Sequence, residues 1–130
     1  MTRRFFLLLG ACLPAVAEPD QPKLLSADEL KALLAKEGKR LFILDVREAQ
    51  ELEAEGALAG AHNIPMQQIE TRLREIPTNR PLLIYCSQGI RAEWAADKLR
   101  RRGYTIRGIG ALSEWKARKH PVVFPSGAKR

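Results

Sequence analysis

The chain is poor in the residues that build metal centres, disulfide frameworks and aromatic recognition surfaces. Of its 130 residues only two are cysteine and two histidine. No CxxC pair or Cys/His cluster occurs, which argues against a zinc site and a dithiol redox motif, and two histidines are too few for a metal site. Aromatic residues make up 6% of the sequence and do not interleave with the basic residues as a nucleic-acid surface requires, so no nucleic-acid partner is expected. The net charge of +7 is scattered among acids, except at Arg100-Arg101-Arg102 and near the C-terminus. It reads as a solvated face that also helps collect small anions. A bilayer-spanning run is lacking too: the apolar segment from Phe5 to Val16 falls well short of the roughly 20 residues a transmembrane helix needs.

That segment has another use. Arg3 and Arg4 precede it, and Ala15-Val16-Ala17 forms a small-x-small site before Glu18, so residues 1–17 read as a secretory signal peptide and the protein as periplasmic or otherwise exported. The alternative is lipoprotein processing at Leu9-Gly10-Ala11-Cys12, with an anchor at Cys12. Either way Cys12 is removed or blocked, and Cys86 becomes the free thiol of the exported protein. Exported domains usually hold cysteines in even numbers, so an odd one points to a reactive or intermolecular role. The competing view is an inert cysteine at the end of a core strand.

Cys86 ends the apolar run Leu82-Leu83-Ile84-Tyr85 and opens Ser87-Gln88-Gly89-Ile90-Arg91, which leads into a helical pattern. Backbone N–H groups at such a turn, the positive end of the following helix and the Arg91 guanidinium favour thiolate over thiol, and the thiolate is the nucleophile. Gly89 permits the left-handed or close backbone geometry of an N–H cup. Such a cup, with N–H groups from Ser87 to Arg91, would hold an anionic donor and a departing anion alike. Arg91 either pairs with the donor's oxygens or turns back to tie the loop to Asp45. Asp45 and Arg47 read as structural anchors of the pocket.

Along the rest of the chain, helical and strand signals alternate. Ser26 and Glu29 form a capping box before the stripe Leu30, Leu33 and Leu34, and Gly38 is a helix stop. A strand is expected over residues 41–46, a short helix over 49–55, a glycine-interrupted loop over 56–65 and an amphipathic helix over 66–76. Ala92, Ala95, Ala96 and Leu99 give the helix after Cys86 a smooth face, with Gly103 ending it. Trp94 falls nearly opposite, bordering the thiol pocket, meeting a partner, or covering a neighbouring helix as a partly exposed ring. A strand over 104–109 and a last helix over 112–118 follow, with Trp115 turned into the core. The alternation implies an α/β fold, a central parallel sheet with helices on both faces, and ligands gathering beyond the strands' carboxyl ends, where Cys86 lies. The domain is expected over 18–120 and a loosely attached tail over 121–130.

Asp45-Val46-Arg47, Gly60-Ala61-His62-Asn63-Ile64-Pro65, Tyr85 to Ala92, Gly103-Tyr104 and Leu112-Ser113-Glu114-Trp115 together resemble a single-domain rhodanese, and export makes the chain similar to periplasmic rhodaneses of the phage-shock type. The resemblance covers roughly residues 24 to 118 and implies a thiosulfate-type sulfurtransferase. In that family the cysteine matching Cys86 takes the outer sulfur of a donor, releases sulfite and holds a persulfide, which cyanide or a thiol then discharges. The implied partners are a small anionic sulfur donor and a thiol or cyanide acceptor, with a protein acceptor also open, and the resemblance implies no metal or organic cofactor.

Several positions depart from the family pattern. The usual Gly-His-Ile-Pro-Gly-Ala run is Gly56-Ala57-Leu58-Ala59-Gly60-Ala61 here, so His62 does not inherit the family histidine's place. Thiosulfate-using members often carry a basic residue directly after the cysteine, whereas Ser87 and Gln88 are neutral, which opens the way to weak thiosulfate turnover or another donor. The family's Gly-Gly before the last helix is Gly110-Ala111. A phosphatase of related architecture would have C-x5-R, while Cys86 and Arg91 are separated by four residues, a cup shorter than a tetrahedral oxyanion needs. A non-enzymatic partner-binding module or a persulfide carrier is the other reading kept open.

Overall fold

The computed structural model describes residues 21–125; the signal-peptide and Cys12 readings lie outside the described residues. The central strand, β3 (Leu82–Cys86), shows most directly how the sequence builds the sheet. All five of its residues are buried, as a parallel strand covered on both faces requires. Its side chains alternate. Leu82, Ile84 and Cys86 join one core with Ala92, Ala95, Ala96 and Leu99 of α3 (Ile90–Arg101), while Leu83 and Tyr85 join the other with Leu30 of α1 (Ala27–Glu37) and Leu112 and Trp115 of α4 (Leu112–Ala117). The small side chains of α3 let it lie close to the sheet, and its polar positions face water.

Around β3 the sheet is fully parallel in the order β2-β1-β3-β4, with β1 at Phe42–Asp45, β2 at His62–Asn63 and β4 at Ile106–Ala111. Asp45 stands opposite Tyr85 and Asn63, and Cys86 opposite Ala111. The C-terminal ends of the strands thus share one edge. A further bridge sets Leu24 parallel to Ile109. The chain belongs to the α/β class, with helices on both faces of a parallel sheet.

Helix α1 begins where its capping box predicts: Ser26 Oγ accepts the Glu29 N–H at 3.1 Å and Glu29 returns the bond at 2.9 Å. Helix α2 (Ala49–Glu55) uses a second box, in which Glu48 and Glu51 take the two roles. Three expectations need correction. The stretch 66–76 is two 3₁₀ turns, Met66–Gln68 and Leu73–Glu75. Pro65 and Pro77 bracket the stretch, and Ile69 and Ile76 still reach the core through these turns. Residues 56–65, expected as a loop, contain β2, too short to show any periodicity. β4 is shifted by two residues from the expected 104–109: it starts at Ile106 because Tyr104 instead closes α3, its N–H donating to Leu99 O, and it continues through Gly108 and Gly110 to Ala111.

Of the tail expected over 121–130, residues 121–125 are described, and they are held to the domain rather than loose. Val123 pairs with Ala57 through two backbone bonds of 2.7 and 2.8 Å, and Trp115 Nε1 donates to Pro121 O at 2.8 Å. This strand-like segment crosses so close over Gly56, at φ +84°, that an added Cβ would stand 2.6 Å from Val122 Cγ2.

Beneath it lies the one fully buried ion pair among the described residues. Arg47 Nε and Nη2 donate to the Asp45 carboxylate at 3.0 and 2.7 Å, and Nη2 also donates to Gly56 O at 2.8 Å. The guanidinium sits over the Tyr85 ring at 5.5 Å. Burial alone would lower the pKa of Arg47, but its bonds and attraction to Asp45 outweigh this and hold it above the ordinary arginine value. Removing one partner leaves the other charge buried and uncompensated, so Asp45→Asn is expected to lower unfolding free energy by about 3 kcal/mol. Urea denaturation of the two proteins measures this.

Candidate functional site

The turn after β3 wraps its backbone around a sulfur atom. Gly89 adopts φ +101° and ψ −21° as the residue before α3, a conformation that costs an L-residue about 1–2 kcal/mol and glycine almost nothing. The reversal aims the Gly89 N–H at Cys86 Sγ, 3.1 Å away, and the Ala92 N–H approaches the same atom at 3.4 Å. Ser87 O accepts the Ser113 N–H at 2.9 Å, which ties the loop to the start of α4. A Cβ on Gly89 would also meet Leu24 Cδ1 at 3.0 Å.

Cys86 is 1% exposed and sits in the floor of a cavity of about 320 Å³ lined by Glu51, Ser87, Gln88, Ile90 and Arg91. The structure thus brings together Cys86 and the five loop residues singled out in the sequence. It keeps Asp45 and Arg47 apart from the cavity lining, as a buried pair under the sheet's edge. Their backbone is clamped by Asn63, whose Nδ2 donates to Asp45 O at 3.0 Å and Arg47 O at 2.8 Å.

Arg91 is the correction here. It does not reach Asp45, because Arg47 already occupies both carboxylate oxygens. It instead forms a bidentate pair with Glu51, Nη1 to Oε2 at 2.6 Å and Nη2 to Oε1 at 2.9 Å. The hydrogen bonds from Arg91 hold the Glu51 carboxyl down at about 2, with the Glu48 N–H and the Arg91 and Arg47 charges adding to them. Arg91 in turn is raised well above its ordinary value, first by Glu51 and more weakly by Cys86.

Glu51 and the Ala92 N–H are the site groups that the sequence reading missed. The signal for Glu51 was present: it stands at the third position of a helix that begins just past the carboxyl end of β1, on the edge where Cys86 must lie. His62 bonds Glu75 at 2.9 Å, away from the thiol cavity. Trp94 is 69% exposed and does not line the thiol cavity. It lines a separate, larger cavity of about 780 Å³ with Pro22, Glu70 and Asp97.

The domain that carries this site has counterparts among known proteins. A family model described as "Rhodanese-like domain" matches residues 26–118. The chain belongs to the rhodanese-like domain family. It is 39% identical over 79 residues to the uncharacterized protein YqhL of Bacillus subtilis, covering 59% of this chain and 62% of that one. The match thus spans less than two thirds of that relative. A protein of Allochromatium vinosum named sulfurtransferase is 33% identical over 89 residues, 67% of this chain and 82% of the relative. Among solved structures, a rhodanese-related protein from Thermoplasma volcanium superposes with a TM-score of 0.67 at 26% identity, covering 78% of this chain and 97% of that chain.

The ion pair at the cavity mouth has a pH signature. Because Glu51 sits at about 2 in the folded protein, below its ordinary 4.5, the pair stabilises the fold fully above pH 4.5, and that contribution is lost as pH falls towards 2. Glu51→Gln is expected to flatten this acid limb of the stability curve, measured by urea denaturation across that interval.

Proposed function

We propose that this rhodanese-like protein is a sulfurtransferase that carries sulfane sulfur as a persulfide on Cys86. The observation that carries the reading is the sulfur itself: Sγ lies in the floor of an open cavity and receives two backbone N–H groups, in a fold shared with a relative named sulfurtransferase. With thiosulfate as donor, the Cys86 thiolate attacks the outer sulfur. A new S–S bond forms, the donor's S–S bond breaks, and sulfite leaves with the bonding pair. Cyanide or a thiolate then takes the terminal sulfur and Cys86 departs as thiolate again, so atoms and electrons balance through two displacements and ping-pong kinetics follow. The N–H cup stabilises negative charge on sulfur during both steps without reorganising.

A persulfide carrier that hands sulfur to a protein acceptor is the second reading. It is favoured by Ile90, which is 68% exposed at the cavity rim. Trp94, one helical turn further on, extends that exposed face of α3. We also propose export to the periplasm after removal of residues 1–17, with anchoring at Cys12 as the alternative.

One measurement tests most of this. Intact mass of the protein after thiosulfate or polysulfide, without reductant, is expected to rise by one sulfur atom and fall back with cyanide or a thiol, while Cys86→Ser gains nothing. Absence of the gain with every donor sinks the reading. For protein recovered from the periplasm, the same spectrum is expected to correspond to a chain starting at Glu18, and a lipid-modified chain starting at Cys12 would support the anchored form instead.

A further inference from the structure

The thiol cavity carries one carboxylate and one guanidinium, and the two are bonded to each other. Ser87 and Gln88 add no charge to its walls. Glu51 is fixed from two sides, since its Oε2 accepts both Arg91 Nη1 and the Glu48 N–H at 2.9 Å. Arg91 and Glu51 keep side-chain exposures of 34% and 28%, so a solute in the cavity can reach both. An inorganic dianion approaching Cys86 therefore meets a cation already neutralised and a fixed negative charge beside it. A molecule bearing both an ammonium and a carboxylate meets complementary partners for each.

We propose that Glu51 sets donor specificity, disfavouring inorganic dianions and favouring sulfane sulfur carried on an amino-acid thiol whose ammonium faces Glu51 and whose carboxylate faces Arg91. The proposal rests on the persulfide reading of Cys86. For a donor R–S–SH, the Cys86 thiolate attacks the outer sulfur, the new S–S bond forms as the old one breaks, and RS⁻ leaves with the bonding pair. No oxidant or reductant enters. Glu51 contacts the donor's body rather than the reacting atoms, and so acts as a specificity residue.

The test compares kcat/KM for thiosulfate, cysteine persulfide and 3-mercaptopropionate persulfide, which has the carboxylate but no ammonium, in the wild type and in Glu51→Gln. Glutamine removes the charge and keeps one acceptor oxygen for the Glu48 N–H and Arg91 Nη1, while its NH2 replaces the oxygen that accepts Arg91 Nη2. The wild type is expected to prefer cysteine persulfide over both other donors by at least about fivefold. Glu51→Gln is expected to raise thiosulfate use about fivefold and to erase the preference for the ammonium-bearing donor. An equal loss with all three donors, or unchanged donor ratios, overturns the proposal and leaves the persulfide reading standing. A wild type that uses thiosulfate best overturns it without recourse to any variant. A wild type that forms no persulfide with any of the three overturns both.

Discussion

The Arg47 guanidinium is sealed from water, and the rest of the site hangs from how that charge is compensated. Asp45 takes two of its N–H groups and Gly56 O shares one of them, while Nη1 lies 3.8 Å from Glu55 Oε1. These contacts join the end of β1 to the end of α2. The orientation of α2 is thereby set, and with it the position of Glu51, three residues along the same helix from the capping residue. Glu51 in turn decides where Arg91 goes. A buried charge pair is a weak source of net stability; here its consequence is geometric, because a charge that cannot reach solvent tolerates few arrangements of the chain around it.

A second constraint comes from the sheet. In a parallel sheet every strand delivers its carboxyl end to the same edge, and the chain must turn there into a helix whose first N–H groups lack intrahelical partners. At β3 these orphan donors converge on a sulfur atom instead of a carbonyl. The site therefore needs little beyond backbone and one thiol. Side-chain charge enters only at the rim, as a neutralised pair, which leaves the cavity without the net positive charge that the basic composition of the whole chain would suggest.

How far the sequence could be read depended on the range of each interaction. Ser26 and Glu29, three residues apart, announced α1 to the residue. The alanines of α3 announced a face that lies close to a sheet, and Leu82 to Tyr85 a buried strand. Gly89 after Cys86 signalled a backbone reversal that only glycine adopts freely. Harder to read were segments in which packing overrides pattern. Ile69, Leu73 and Ile76 suggested a helical stripe, yet the short chain between two prolines reached the core through 3₁₀ turns. His62-Asn63 gave no periodic signal because a two-residue strand has none. Val122 and Val123, after Pro121, looked like a tail and are pinned across Gly56.

By itself the sequence determined the alternation of strands and helices, the position of the thiol at a strand's carboxyl end, and the glycine that lets the loop fold back over it. These are local or periodic properties, written within a few residues of one another. Only the tertiary structure decided that Arg91 pairs with Glu51, 40 positions away, and that the Ala92 N–H joins the cup. It also decided that Trp94 opens onto a different cavity from the thiol. Those outcomes depend on strand register, on which carboxylate is already taken by Arg47, and on the angle at which α2 leaves β1, none of which has a signature along the chain.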